Sequence, residues 1–292
     1  MELFLLHLLN GLQLSMLLFL LAVGLTLIFG LMDTLNLAHG AFYTIGAYTG
    51  YWVASSFGNF WWALVIGPLP AFAIGALLQY FVLQPLALRG RSTHLDLALL
   101  TFGLLFVTMG LADLVSGAGF QTIRVPEALE GGVRLLGVHY PVYRLFVIAA
   151  GFALAAVLWL ALERTVIGAV VRAGVDNRDM VIGMGINIGL VFALVFGLGA
   201  ALAALSGVIA APIFSIYSRM GVSILIETFI VVILGGLGNF RGSFYGALVV
   251  GVVDTLAKAY VPSGELFAIY IVLALVLVFR PQGLFGTRRQ AA

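Results

Sequence analysis

Residues Ile269–Phe279 read IYIVLALVLVF, an unbroken apolar run with no charged position. Nothing in it alternates, whereas the strands of a transmembrane β-barrel alternate apolar and polar positions over segments of about ten residues. A hydrocarbon layer about 30 Å thick takes roughly 20 apolar residues per helix, and the backbone groups inside it must be satisfied within the segment, which a helix does. Runs of the same kind recur from one end of the chain to the other. Reading them against breakers gives spans near 8–31, 37–56, 61–86, 95–116, 141–162, 186–212, 222–238, 243–261 and 265–280. The fold expected is an all-α polytopic membrane protein with about nine (eight to ten) transmembrane helices.

Composition agrees. Of 292 residues, 63% are hydrophobic and 9% charged, against about 25% charged in a soluble domain. The charges gather in short islands between apolar stretches, the pattern expected when lipid is the solvent. The N-terminus lacks the basic stretch of a secretory signal, and its apolar run continues to Leu31, so it reads as a retained first span. Neither segment of more than hairpin length, Gly117–Tyr140 or Glu163–Gly185, is long enough to be a domain. One membrane domain over residues 1–292 is expected, without soluble appendages.

Several chemistries are excluded by residue type. There is no cysteine, hence no disulfide or thiolate site. The four histidines, His7, His39, His94 and His139, lack metal-ligand spacing. Lys258 is the only lysine, and no phosphate-binding loop of the Gly-x-x-x-x-Gly-Lys type occurs. Neither His-Glu-x-x-His nor Gly-x-Ser-x-Gly is present, and no pair suited to an intramembrane protease stands out. A net charge of +2 is too small to suggest nucleic acid. No cofactor or metal is expected.

Orientation follows from the excess of Lys and Arg in cytoplasmic loops. With Arg280, Arg288 and Arg289 inside, alternation puts Arg89, Arg91, Arg164, Arg172, Arg178 and Arg241 on the same side; Arg124, Arg134, Arg144, Arg219 and Lys258 fall outside. The N-terminus is then outside and the C-terminus cytoplasmic. Thirty-six glycines fit helices that approach closely, as in Gly46-x-x-x-Gly50, Gly185-x-x-x-Gly189 and the series Gly238, Gly242, Gly246. An internal echo relates His39-Gly40-Ala41-Phe42-Tyr43 to Arg241-Gly242-Ser243-Phe244-Tyr245, preceded by Asn36-Leu37 and Asn239-Phe240 respectively. A duplicated half leaves such an echo behind, and a chain rich in Gly and Phe produces one by chance as well.

Polar residues inside apolar stretches are functional candidates because insertion costs about 2.5–3.5 kcal/mol per charge. Asp33, Asn36 and His39 cluster where the first two spans meet, in a segment (LMDTLNLAHG, 31–40) too polar for a plain helix; a broken or re-entrant backbone would account for it. Glu227 interrupts the apolar run Ile224–Leu234. Together with Gly40 and Asn239, these are the candidates for a translocation pathway. The plainer reading makes His39 a backbone brace and lets Glu227 reach the outer surface. Asp96, Asp113, Asp254 and Lys258 lie near span ends and read as interfacial. Residues 163–187 (ERTVIGAVVRAGVDNRDMVIGMGIN) are too elaborate for a turn. Apolar residues at helical spacing beside a mixed-charge strip predict a short amphipathic helix on the cytoplasmic face. Its acidic residues suit a protein groove better than an anionic membrane.

Several motifs follow one another in the chain: Gly24-Leu25-Thr26-Leu27-Ile28-Phe29-Gly30, Asn36-Leu37-Ala38-His39-Gly40 with Gly46-Ala47-Tyr48, Arg172-Ala173 with Gly185-Ile186-Asn187, Gly235-Gly236-Leu237-Gly238-Asn239 with Gly242, and Arg280-Pro281-Gln282-Gly283-Leu284-Phe285-Gly286. In this order they resemble the permeases of bacterial branched-chain amino acid ABC importers, the LivH type. The resemblance spans essentially the whole chain. It implies a permease subunit of the inner (cytoplasmic) membrane that moves branched-chain or related amino acids inward by ATP-driven alternating access. Its ATP is bound by two cytoplasmic partner subunits, and it pairs with a second homologous permease and receives cargo from a periplasmic binding protein. Arg172, Ala173, Asn177, Gly183, Gly185, Ile186 and Asn187 then map onto the loop that docks on the ATPase. Met180 departs from the family, where a small residue is common. Urea, amides or other amino acids are alternative cargoes for such a permease. A proton-coupled carrier titrating Asp33, His39 or Glu227 is an alternative of another class.

Overall fold

Helix α1 (Glu2–Met32) is apolar on all sides, which suits a helix surrounded by other helices or by lipid. From Met16 to Val23 none of its side chains is more than 3% exposed. The computed structural model, which describes residues 2–32, 36–88, 93–117, 119–135 and 137–286, wraps the other elements around it. They are α2 (His39–Phe57), α3 (Phe60–Ile66), α4 (Pro68–Leu78), α5 (Gln84–Leu88), α6 (His94–Ser116), α7 (Val142–Arg164), α8 (Val166–Asp176), α9 (Arg178–Gly183), α10 (Ile188–Ala210), α11 (Met220–Gly235), α12 (Phe240–Tyr260) and α13 (Glu265–Phe279).

Helix stands at every stretch where a span is expected. Six of these stretches, Glu2–Gly30, Phe60–Ala87, α6, α7, α10 and α12, are long and apolar enough to cross a membrane; Met220–Gly235 and Phe267–Phe279 are shorter apolar helices. The third stretch is not one regular helix. Pro68 starts α4 after Gly67, and the backbone widens to a π turn over Gln79–Leu83. Pro85 lies just beyond it. Without an N–H, and with its ring against the carbonyl four residues back, a proline cannot keep the regular ladder.

The centre is held by backbone contact. A methyl group added to Gly24 would lie 2.5 Å from the Gly199 carbonyl oxygen, and one added to Gly199 would lie 2.8 Å from that of Gly24. On the other side of α10, a methyl at Gly46 would run into the backbone of Ala204, and one at Gly207 into the Tyr43 carbonyl. The expected small-residue packing is thus present along α1, α2 and α10, where only glycine permits the approach. Hydroxyls then bond across the joints: Ser206 Oγ donates to the Leu17 carbonyl (3.0 Å), and Thr26 and Ser243 hydroxyls meet at 2.5 Å between α1 and α12. Phe19 packs edge-on against Phe240 and Phe244.

Helix α2 starts inside this bundle. His39, its first residue, touches the Leu21 carbonyl, eleven residues before the end of α1, or about 16 Å back along the axis. The chain therefore turns back after α1, as the polarity of residues 31–40 suggested. Just before α2 the backbone is fixed by polar groups: Asn36 Oδ1 accepts from Ala38 N (3.1 Å) and Leu37 N donates to Thr101 Oγ1 of α6 (3.1 Å). Irregular backbone is tolerated at such depth only where protein satisfies it.

The fold is not wholly helical. Residues Gly132–Leu135 (β1) and Val138–Pro141 (β2) form an antiparallel hairpin with Gly132 opposite Pro141. Ahead of it, Gln121 and Ile216 exchange two backbone hydrogen bonds of 2.9 and 2.8 Å, so this segment is sewn onto the turn after α10. At the other end of the bundle the expected single amphipathic helix is two, α8 and α9. They are divided at Asn177, whose extended backbone ends α8 and whose side chain caps α9 by accepting from Met180 N (3.0 Å).

A Gly46→Val variant, which forces α2 off α10, is expected to lose about 1–3 kcal/mol or more, read as a lower melting temperature and loss of a monodisperse peak in detergent. Gly110→Ala on α6, where an added methyl meets nothing within 4 Å, is expected to stay within about 0.5 kcal/mol of the parent. Equal stability of the two variants would rule out the tight α2–α10 joint.

Candidate functional site

The cavity of interest, about 570 Å³, lies at one end of the bundle. Its wall is assembled from the first third of α1, the first half of α2, the beginning of α7, the end of α10 with the turn after it, the end of α12, and the first half of α11. It exists because α11 begins deep, while α2 runs along the wall. Helix α11 starts at Met220, after Pro212 and the strapped turn at Ile216 have ended α10, and its Gly221 lies against Gly40 at the start of α2. The space that longer helices would fill remains open above this contact.

Its lining is mainly apolar, with a few polar groups that converge. Glu227 reaches it from α11, half-buried. Asp254, on α12, is 5% exposed and receives the Lys258 ammonium at 2.6 Å. Arg144, at the start of α7, donates to Asn10 Oδ1 (2.5 Å). Tyr43, Tyr217, Ser215, Ser223, Thr255, His7 and Gln13 also line it, and Gln13 Nε2 is buried with no protein partner among the described residues. Cavities of this kind, apolar with few placed polar groups, are the usual form of a small-molecule site.

The residues singled out in the sequence fall in different places. Glu227 lines the cavity. Asp33 lies outside the described residues. Asn36, His39 and Gly40 sit together at the α1–α2 turn and do not line the cavity. His39 is fully buried between α1 and α10, its Nε2–H donating to the Leu21 carbonyl (2.8 Å). Asn239 is a cap: Oδ1 accepts from Gly242 N (3.0 Å) and Nδ2 donates to the Phe285 carbonyl (2.8 Å). It thereby binds the segment after α13, which also donates from Leu284 and Phe285 to the carbonyls of Leu234 and Gly235. The Arg280–Gly286 motif is thus a strap over the α11–α12 turn, and Phe285 stacks on Tyr245 at 5.0 Å.

Asp254 and Lys258 correct an expectation. They read as interfacial, yet Asp254 is buried in the cavity wall. The signal was their i, i+4 spacing, which puts both charges on one helix face. Tyr43 and Arg144 carried no comparable signal, since only folding brings α2 and α7 to one space.

Residues 163–187 occupy the opposite end of the bundle, after α7 and before α10. Val181 is buried with Ile188 and Phe192, and a methyl at Gly174 would meet the Ile188 side chain. Thus the two short helices are anchored on the start of α10. Arg172 donates to the Leu162 carbonyl, and Asn187 caps α10 by accepting from Leu190 N (3.2 Å). Ala173 and Ile186 pack against the buried cluster, while Gly183 and Gly185 lie at the exposed end of α9, Gly185 with φ of 80°. Outward face Ile167 and Met180, 73% and 65% exposed, with Ile182 and Met184. Met180 therefore clashes with nothing inside the chain.

Residues 7–279 match the family described as "Branched-chain amino acid transport system / permease component". The chain is 25% identical to the high-affinity branched-chain amino acid transport system permease protein LivH of Escherichia coli, covering 97% of this chain and 96% of that one. It is 27% identical to BraD of Pseudomonas aeruginosa, named as the same kind of permease, over 96% and 95%. To LivM of Escherichia coli, again a permease of that transport system by name, it is 27% identical over 94% of this chain and 69% of that one. No solved structure matches.

Asn239→Ala is expected to cost about 1–2 kcal/mol by loss of the cap, seen as a lower melting temperature, with transport per folded molecule unchanged because the side chain lies away from the cavity. A transport defect at unchanged stability would assign Asn239 to the pathway instead.

Proposed function

This chain belongs to the branched-chain amino acid transport permease family, and from that we propose that it is the membrane-spanning subunit of an ABC importer for branched-chain or closely related amino acids. The observation that carries the reading is the separation of two surfaces. A small-molecule cavity lies at one end of α7 and α10, and an anchored, outward-facing pair of short helices lies at the other. Each of the two connecting helices has 23 residues, about 35 Å at 1.5 Å per residue. That is the span between cargo on one face of a membrane and a motor on the other.

In this reading all nine helical stretches cross, the N-terminus faces the periplasm, and α8–α9 face the cytoplasm in the bacterial inner membrane. The exposed Ile167, Met180, Ile182 and Met184, with Arg172 and Asn177 beside them, seat in a groove of an ATP-binding subunit. Two such subunits, a second homologous permease and a periplasmic binding protein complete the assembly. Relatives named LivH and LivM within one transport system support a paired permease. ATP binding draws the two motor subunits together, α8–α9 move with them, and the rigid α7–α10 connection passes that movement to the cavity. Cargo shifts the balance between the two states only by its difference in affinity for them, so the cavity does not need to hold it tightly. The cargo class is inherited from the names of the relatives and agrees with a cavity whose surface is mainly apolar.

Substituting Met180→Asp together with Ile182→Asp is expected to abolish co-purification with the ATP-binding subunits, while membrane insertion and melting temperature stay as in the parent. Arg172→Ala is expected to weaken that association. Uptake that runs without ATP and collapses with the proton gradient, or double variants that still transport normally, would overturn the reading.

A further inference from the structure

Glu227 lies in the cavity wall within electrostatic reach of the Asp254–Lys258 pair but forms no ion pair of its own among the described residues. Among the described residues, no group donates a hydrogen bond to its carboxylate and no cation lies within 4.0 Å of it. The other charged groups of the wall are engaged: Asp254 takes the Lys258 ammonium, and Arg144 is held by Asn10. The wall that Glu227 shares carries Ile224, Met220 and Ala47 beside Tyr43 and Tyr217, with the neutral polar groups of Gln13, Ser223 and Thr255 between them. An ionised carboxylate in such surroundings is costly until a counter-charge arrives, and a low-dielectric wall strengthens the attraction once it does. Tyrosine ring faces add to the preference for a cation, and the apolar wall favours one carrying a hydrocarbon tail.

We propose that the Glu227 carboxylate is the ammonium-binding group of the cavity, so that the permease itself selects cargo bearing a primary ammonium beside a branched aliphatic chain. The inference rests on the permease reading and adds the chemical handle by which cargo is held in transit. It separates amino acids from the neutral alternatives, since urea and amides offer no cation and gain nothing from Glu227. An inorganic cation could supply the same charge without the tail, and the test distinguishes the two.

The test uses the purified full-length chain in nanodiscs, with equilibrium binding of L-leucine, 3-methylbutylamine and 4-methylpentanoate. The two ammonium compounds are expected to bind, and the deaminated acid to bind about tenfold more weakly or worse, as expected for loss of a charged hydrogen bond. In Glu227→Gln that advantage is expected to vanish while the melting temperature is kept, and Glu227→Asp is expected to retain part of it. Failure of the parent chain to bind either amine, equal binding of the deaminated acid, or an undiminished preference in Glu227→Gln overturns the proposal. Displacement of labelled leucine by sodium chloride but not by 3-methylbutylamine assigns the carboxylate to an inorganic cation and likewise overturns it. ATP-driven leucine uptake indifferent to Glu227→Gln removes this site and leaves the permease reading standing. Uptake independent of ATP, with amine binding still dependent on Glu227, removes that reading and leaves the site.

Discussion

The backbones of α1, α2 and α10 touch, and the rest of the molecule is arranged around that contact. In lipid there is little hydrophobic gain from pressing one helix on another, so association depends on close packing and on hydrogen bonds between helices. Gly24 against Gly199, Gly46 against Ala204 and Gly207 against Tyr43 provide the first. Ser206 on the Leu17 carbonyl and His39 on the Leu21 carbonyl provide the second. Because these joints hold α10 against α1 on one side and against α2 on the other, they fix where α2 starts. That in turn places Gly40 against Gly221 and sets where α11 begins.

The cavity is a consequence of the deep start of α11. Helices that begin partway through a bundle leave space beyond their first turns, and here the space is walled by the ends of α1, α7, α10 and α12. The strap from Gln121 to Ile216 holds the turn that closes one side. At the far end α8 and α9 are anchored through Val181 on Ile188 and Phe192. The same helices that wall the cavity therefore connect to the surface proposed to meet the motor. The internal echo has a physical counterpart: Gly40 meets one end of α11 and Gly242 meets the other, so the two similar segments start helices at opposite ends of a shared partner.

Much of this was legible in the sequence because lipid imposes a simple rule on helix length and polarity. All nine apolar stretches are helical, and the polar break at residues 31–40 does turn the chain back into the bundle. The elaborate segment 163–187 is a built element rather than a turn, although Asn177 divides it in two by preferring to cap α9. The polar candidates were less legible. Asn36, His39, Glu227 and Asn239 are all polar groups in apolar surroundings, yet only Glu227 lines the cavity. His39 braces α2 on α1, and Asn239 caps α12 while tying down the C-terminal strap.

By itself the sequence determined that this chain is a bundle of membrane helices, where the bundle is interrupted, and which family its motifs belong to. Those are properties of local composition and order, and they survive without knowing which helix neighbours which. Only the tertiary structure decided that Asp254 is buried and matched by Lys258, that Arg144 rests on Asn10, and that Glu227 lines the cavity with no hydrogen bond or ion pair of its own among the described residues. A polar side chain reads the same in one dimension whether it braces, caps or waits for a ligand. The groups that settle which of these it does come from helices up to a hundred residues or more away.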